Sequence, residues 1–156
     1  MADDLTAVED WAAAFLARLA PSERRTLAGQ IARELRRSQA ARIAAQENPD
    51  GSAFKTRKPQ KNLRGKQGAI KRGPMFTKLR LAKRLKIIEA SGREVAIGFT
   101  GRNAHIARVH QDGLAEQAAS SKGKAFSISY HQRRLLGLTD ADSERLMDTV
   151  LAFLDR

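Results

Sequence analysis

Between Gly51 and Lys86 the chain carries thirteen lysines and arginines and not one acidic residue, while its overall formal charge is +12. The sixteen basic residues elsewhere face all seventeen acidic ones, so the remainder is close to neutral. A near-neutral fold with one basic segment is a different object from a uniformly basic protein. The first part of the segment, residues 51–73, also lacks apolar periodicity. Its apolar positions are Phe54, Leu63 and Ile70, set among Gly51, Gly65, Gly68, Gly73 and Pro59. Such a stretch buries too little apolar surface to offset the entropy of ordering it. It is expected to be an extended arm, inserted in a single domain of 156 residues.

The flanking sequence is patterned. Leu5, Val8, Trp11, Phe15 and Leu19 recur at helical spacing. Pro21 and Ser22 read as a stop and a cap before a second helix, from Glu23 through Leu27, Ile31 and Leu35 towards Ile43. Asn48, Pro49, Asp50 and Gly51 end it as a turn. Met75, Phe76, Leu79 and Ala82 suggest a short helix after the arm. The period then changes to two: Leu85–Ala90, a turn at Ser91 and Gly92, and Val95, Ile97 and Phe99 predict a hairpin. A short helix over Ala104–Val109 should end at Gln111, Asp112 and Gly113. Phe126, Ile128 and Tyr130 alternate as a third strand. Thr139 should cap a last helix, with Asp140, Asp142 and Glu144 in its first turns and Leu146, Met147, Val150, Leu151, Phe153 and Leu154 as a wide apolar face. The expected fold is α+β: a small antiparallel sheet of hairpin plus third strand, packed with N-terminal and C-terminal helices, and a long basic arm.

Little in this pattern points to catalysis, and no cofactor is expected. The chain has no cysteine, which removes thiolate metal sites. His105 and His110 are five residues apart, which turns them to different sides of a helix, where a pair of ligands needs a step of three or four. Ser127, Ser129 and His131 alternate on one strand with no acid to orient them. Asp140, Asp142 and Glu144 suit a helix start better than a metal. No run is long and apolar enough for a membrane span, and the acidic start, with Asp3 and Asp4, does not suit a signal peptide.

The charge does point to a partner. Lys55, Arg57, Lys58, Lys61, Arg64, Lys66, Lys71 and Arg72 form the contact set of the arm, for a neighbouring protein surface or for phosphates. Phe54 and Phe76 are too few aromatic residues for a base-stacking platform, so any contact with DNA would be non-specific and sensitive to salt. Arg33, Arg36 and Arg37 on the second helix are a further candidate for subunit contact.

Several stretches, taken in order, resemble the phage virion morphogenesis family of contractile-tailed phages and prophages. They are Arg42–Gln46 followed by Asn48–Gly51, the arm with Arg57, Lys58 and Pro59, Met75-Phe76 with Leu79-Arg80, and Val95–Phe99 with Thr100 and Gly101. Ile106–Gln111 with Gly113 and Arg134–Thr139 complete the set. One departure is His131-Gln132 ahead of Arg133, where the family pattern has a Pro-Ala type of turn. The resemblance implies a structural protein of virion assembly, located in the tail or neck and in the host cytoplasm during assembly. It implies tail completion by a ring of identical copies, hexameric, at the head-proximal end, permitting head-tail joining. Its expected partners are other copies of itself, tail tube, sheath or neck proteins, and DNA in the lumen. The reading from charge alone is a non-specific nucleic-acid-binding protein.

Overall fold

The computed structural model describes residues 19–57, 73–119 and 123–155, together with Asp10, Ala13, Ala14 and Ala17. Most of the helix expected over Leu5–Leu19 lies outside the described residues; Asp10, Ala13 and Ala14 within it are helical. Among the described residues, three helices and two antiparallel hairpins make the α+β fold: α1 (Pro21–Ala45), β1 (Leu85–Ala90), β2 (Val95–Phe99), α2 (Arg102–Asp112), β3 (Ala115–Ala119), β4 (Ala125–Ser129) and α3 (Asp140–Leu154).

α1 starts two residues earlier than Ser22 as a cap would place it. Pro21 opens the helix, because its fixed φ suits the first turn and its missing N–H would be unpaired there anyway. The Glu23 carboxylate reaches back to accept from the Ala20 amide at 2.9 Å. At the other end Gln46 takes a left-handed conformation (φ 63°), and its amide caps the carbonyls of Arg42 and Ile43. The chain then turns through Asn48–Gly51, as its composition requires, and closes a bridge between Glu47 and Ala53.

β1 and β2 pair with Leu85 opposite Phe99 and Ile87 opposite Ile97, and the register slips between Ile87 and Glu89. Their inward residues join α1 and α2 in the core, formed by Ile43, Phe54, Leu79, Leu85, Phe99, Ala107 and Leu135. α2 lies between two glycines as expected. Gly113 ends it at φ 66°, where an added Cβ would also stand 3.0 Å from the Gln132 nitrogen. α3 opens on Thr139, whose hydroxyl accepts from the Asp142 amide while the Asp142 carboxylate accepts from the Thr139 amide.

Three features differ from the sequence reading. Residues 75–80 form successive turns in place of a short helix: Phe76 sits at φ 63°, a left-handed position that interrupts a helix. The strand at Phe126 and Ile128 joins no common sheet with β1 and β2. It pairs instead with β3, Glu116 opposite Ile128 and Ala118 opposite Phe126, as a second hairpin. β3 reads Ala-Glu-Gln-Ala-Ala, with none of the β-branched or aromatic residues that mark a strand. Finally, the face of α3 is only partly covered. The one buried residue of α3 is Asp142, and Met147 and Leu151 are 56% and 44% exposed.

Candidate interaction surfaces

The segment that matters most for contact begins inside the core. Phe54 is buried and meets Phe76 edge-on at 5.9 Å between ring centroids. The carbonyls of the next two residues are held by one buried guanidinium: Arg133 Nε donates to Lys55 O at 2.7 Å and Nη2 to Thr56 O at 3.0 Å. Residues 51–57 thus sit against the body, and only from Lys55 onward are side chains in this segment exposed and basic. On the return side Gly73 O accepts from Arg57 Nη1 at 3.2 Å, and the Gln46 side chain pairs with both the N–H and the carbonyl of Met75. The two ends of 58–72 are therefore anchored beside each other. Of the expected contact residues, Lys55 and Arg57 are exposed; Lys58, Lys61, Arg64, Lys66, Lys71 and Arg72 lie outside the described residues.

A second buried guanidinium organises the segment before α3. Arg42 donates to the carbonyls of Glu47, Arg134, Leu135 and Gly137 and to Gln39 Oε1. Residues 133–137 belong to no helix or strand, yet Leu135 is fully buried. Backbone polar groups in such a place need partners from side chains. Gln111 pairs with both the N–H and the carbonyl of Leu136, Asn48 Oδ1 accepts from Arg134 N, and Gln39 Oε1 accepts from Gly137 N. The close approach of Gly137 to Pro49 leaves no room for a side chain: an added Cβ would be 2.5 Å from Pro49 Cγ. Burial lowers the Arg42 pKa, with the neighbouring Asp142 acting in the opposite sense. The signal was present in the sequence, since Arg42 stands seven residues after Leu35 and so continues the buried stripe.

The three histidine positions separate as their spacing implied. His105 is exposed and its Nε2 lies 2.5 Å from Glu116 Oε1, which links α2 to β3. His110 is half-buried between Phe76 and Tyr130, with ring centroids 4.8 and 5.0 Å away. Arg133 Nη1 lies 3.2 Å from His110 Nδ1. A guanidinium can only donate, so Nδ1 accepts and the ring proton is on Nε2. Burial, reinforced by the Arg133 charge, lowers the His110 pKa to about 4. His131 contributes its carbonyl to the same guanidinium at 3.4 Å.

Arg33 and Arg37 are exposed and Arg36 is half-buried. Arg33 and Arg37 border a shallow open groove between α1 and α3, with Gln30, Glu34, Thr149 and Phe153. Thr149 donates to Glu34 at 2.7 Å, and Ser38 donates to Asp142. Burial pushes the Asp142 pKa up, but the Ser38 hydroxyl, the bonds from Thr139 and the charge of Arg145 outweigh it and hold the carboxylate below its ordinary range. Asp142 is therefore a structural anchor of α3. Among the described residues no group of three or more His, Asp or Glu could hold a metal ion, and no helix is long and apolar enough to cross a membrane.

The β3–β4 hairpin is the least supported element. Among the described residues it makes no extended contact with any other helix or strand, and Phe126 at its centre is 47% exposed. Isolated two-stranded hairpins are marginal in water and gain stability from a third strand or a packed face.

No solved structure matches the chain. Tail completion protein S of Escherichia phage P2 is 38% identical to it over 149 residues, 95% of each chain. The model of the phage virion morphogenesis family matches residues 3–155. Of the stretches that carried the resemblance, Arg42, Asn48 and Gln111 bond directly to the 134–137 backbone, while Gln46 bonds to Met75. The chain belongs to the phage virion morphogenesis family.

Proposed function

We propose that this chain is a structural protein of phage tail assembly, with no catalytic step of its own. It forms a ring of identical copies at the head-proximal end of the tail, completes the tail there, and so permits joining to the head. The setting comes from its similarity, across nearly its whole length, to a protein named for tail completion. The observation that carries the assembly role is the β3–β4 hairpin, which among the described residues lacks an extended contact with the body and leaves Phe126 47% exposed. A hairpin of five-residue strands gains its missing packing from a neighbour. A ring of one chain type uses heterologous contacts, one patch meeting a different patch on the next copy. Arg33, Arg36 and Arg37, and the arm residues from Lys55 to Arg72, are the cationic side of such contacts, with tail tube, sheath or neck proteins as further partners.

Negative-stain images and light scattering of the purified protein test this reading. Closed rings of uniform diameter are expected, and a monomer at tens of micromolar would refute it. One further observation favours a second reading. Lys55, Lys78, Arg80, Lys83 and Lys86 are all exposed with no acidic residue within the segment, a pattern that also grips phosphates. Binding to duplex DNA through about six such contacts would fall about a thousandfold between 50 and 200 mM salt. A weak or flat dependence on salt would exclude it.

A further inference from the structure

Among the described residues the outer face of α3 has no partner. At 100° per residue, Asp140, Glu144, Met147, Asp148, Leu151 and Asp155 fall within one side of the helix, and every one of them is exposed. The four acids have no ion pair among the described residues: the carboxylate of α3 that does pair is Asp142, with Arg145. Two large apolar side chains therefore stand in water between four carboxylates. A solvent-facing helix surface does not need Met147 and Leu151; a docking surface does.

Its complement is present on the same chain. Lys78, Arg80, Lys83 and Lys86 lie on the turns before β1 and on its first residues, all exposed and without an acidic partner among the described residues, and Leu81 beside them is 39% exposed. One copy cannot bring the two together. α3 docks on α1 through Glu34 and Ser38, whereas Leu85 of β1 meets α1 in the core at Ile43. Glu34 and Ile43 are nine residues apart, about half a turn round the helix axis, so α3 and β1 sit on opposed sides of α1.

We infer that the outer face of α3 in one copy docks on the basic turn at residues 78–86 of the next copy, Met147 and Leu151 packing towards Leu81 and the carboxylates facing Lys78, Arg80, Lys83 and Lys86. The contact is head to tail, because donor and acceptor patches differ and lie on opposite flanks. Opposed charge fixes the register and repels the wrong pairing, patch to patch or helix to helix. This contact rests on the proposed ring and specifies what holds it.

The test is a charge exchange read by sedimentation. One variant carries Glu144→Lys with Asp148→Lys, the other Arg80→Glu with Lys83→Glu; all four positions are exposed, and circular dichroism confirms that each folds. Each variant alone should associate at least about tenfold more weakly than the wild type, since like charges then meet at every contact. An equimolar mixture should regain wild-type assembly, because the reversed helix of one variant meets the reversed turn of the other. If reversal unfolds α3, Glu144→Gln with Asp148→Asn should still weaken association. Either variant assembling like the wild type, or a mixture that stays dissociated, would overturn this contact while leaving the ring in place. A wild-type protein that is monomeric throughout would remove the ring reading and this contact with it. An Arg80/Lys83 variant that loses duplex DNA binding but assembles normally would assign the basic turn to phosphates and overturn the docking.

Discussion

Arg42 donates five hydrogen bonds from a buried position, four of them to carbonyls. Arg42→Met would keep the volume and leave those carbonyls without their partner, and buried acceptors cannot recover it from water. A loss of about 2–4 kcal/mol in unfolding free energy is expected by denaturant titration. Arg42→Lys should recover only part of that, because an ammonium cannot span the fork of acceptors that the planar guanidinium reaches. His110 makes a prediction of opposite kind, one that depends on pH. In the folded protein its ring stays neutral down to about pH 4, while in the unfolded chain it takes up a proton near 6.5. Below 6.5 the unfolded state therefore binds more protons, so stability present at neutral pH is lost as pH falls from 6.5 towards 4. Protonation would also turn Nδ1 from an acceptor into a donor facing the Arg133 guanidinium. The ring is only half-buried, so screening reduces the full effect to about 1–2 kcal/mol. Thermal melts at pH 7.5 and 5.0 should show this drop in the wild type, and His110→Gln should flatten it; an unchanged drop would place the sensitive group elsewhere. Asp142 does not confuse the comparison, since its depressed pKa makes its own contribution fall away only at more acidic pH.

At the scale of elements, what was legible in the sequence was whatever rested on local signals. The β1–β2 hairpin follows from the alternation of Val95, Ile97 and Phe99 after a turn at Ser91 and Gly92, the end of α2 from Gly113, and the start of α3 from Thr139 with an acid three residues later. Tertiary context hid the rest. β3 is a strand because Glu116 and Ala118 find Ile128 and Phe126 across the ladder, not because Ala-Glu-Gln-Ala-Ala prefers one. Residues 75–80 have the apolar spacing of a helix, but Met75 is bonded at both backbone groups to the Gln46 side chain and Phe76 is turned to positive φ. The candidate contact residues were legible as charge, whereas the division between exposed cations and the structural cations Arg42 and Arg133 depends on which carbonyls they reach. A weakly supported β3–β4 hairpin has a measurable consequence. Its amides should exchange with solvent faster than those of β1 and β2 in dilute protein, and slow several-fold on assembly. Phe126→Ser should leave the stability of the dissociated protein within about 0.5 kcal/mol, since the ring is exposed, yet weaken assembly. Equal exchange in both hairpins would show that β3–β4 is supported within one copy.

For the whole molecule, the decisive fact is where the anchored body ends and the basic residues 58–72 begin. Phe54 is in the core, and Lys55 and Thr56 are held through their carbonyls by Arg133, so a deletion reaching back to residue 53 would remove core contacts together with the basic segment. Residues 58–72 are different. They contain six basic residues and no acidic one, and the groups on either side are joined by the bond from Arg57 to Gly73. Closing a gap between neighbouring ends needs only a short linker, and shortening a loop costs nothing in closure entropy; it gives back about 1 kcal/mol for a fourfold reduction in length. Replacement of 58–72 by a short Gly-Ser linker should therefore leave the melting temperature within a few degrees of the wild type. If the segment meets a neighbouring subunit or tail protein, the replaced protein should fold, stay soluble and fail to yield infectious particles when supplied to a phage lacking its own copy. Normal infectivity would show that the basic segment is dispensable for assembly. Loss of folding would show instead that these residues contribute to the body, and the two results are separated by the melt before any phage is grown. The replacement also distinguishes the two uses of the charge. Six fewer cations must flatten the salt dependence of any DNA binding, while rings held by α3 and the 78–86 turn should still close, because neither surface lies within the replaced residues.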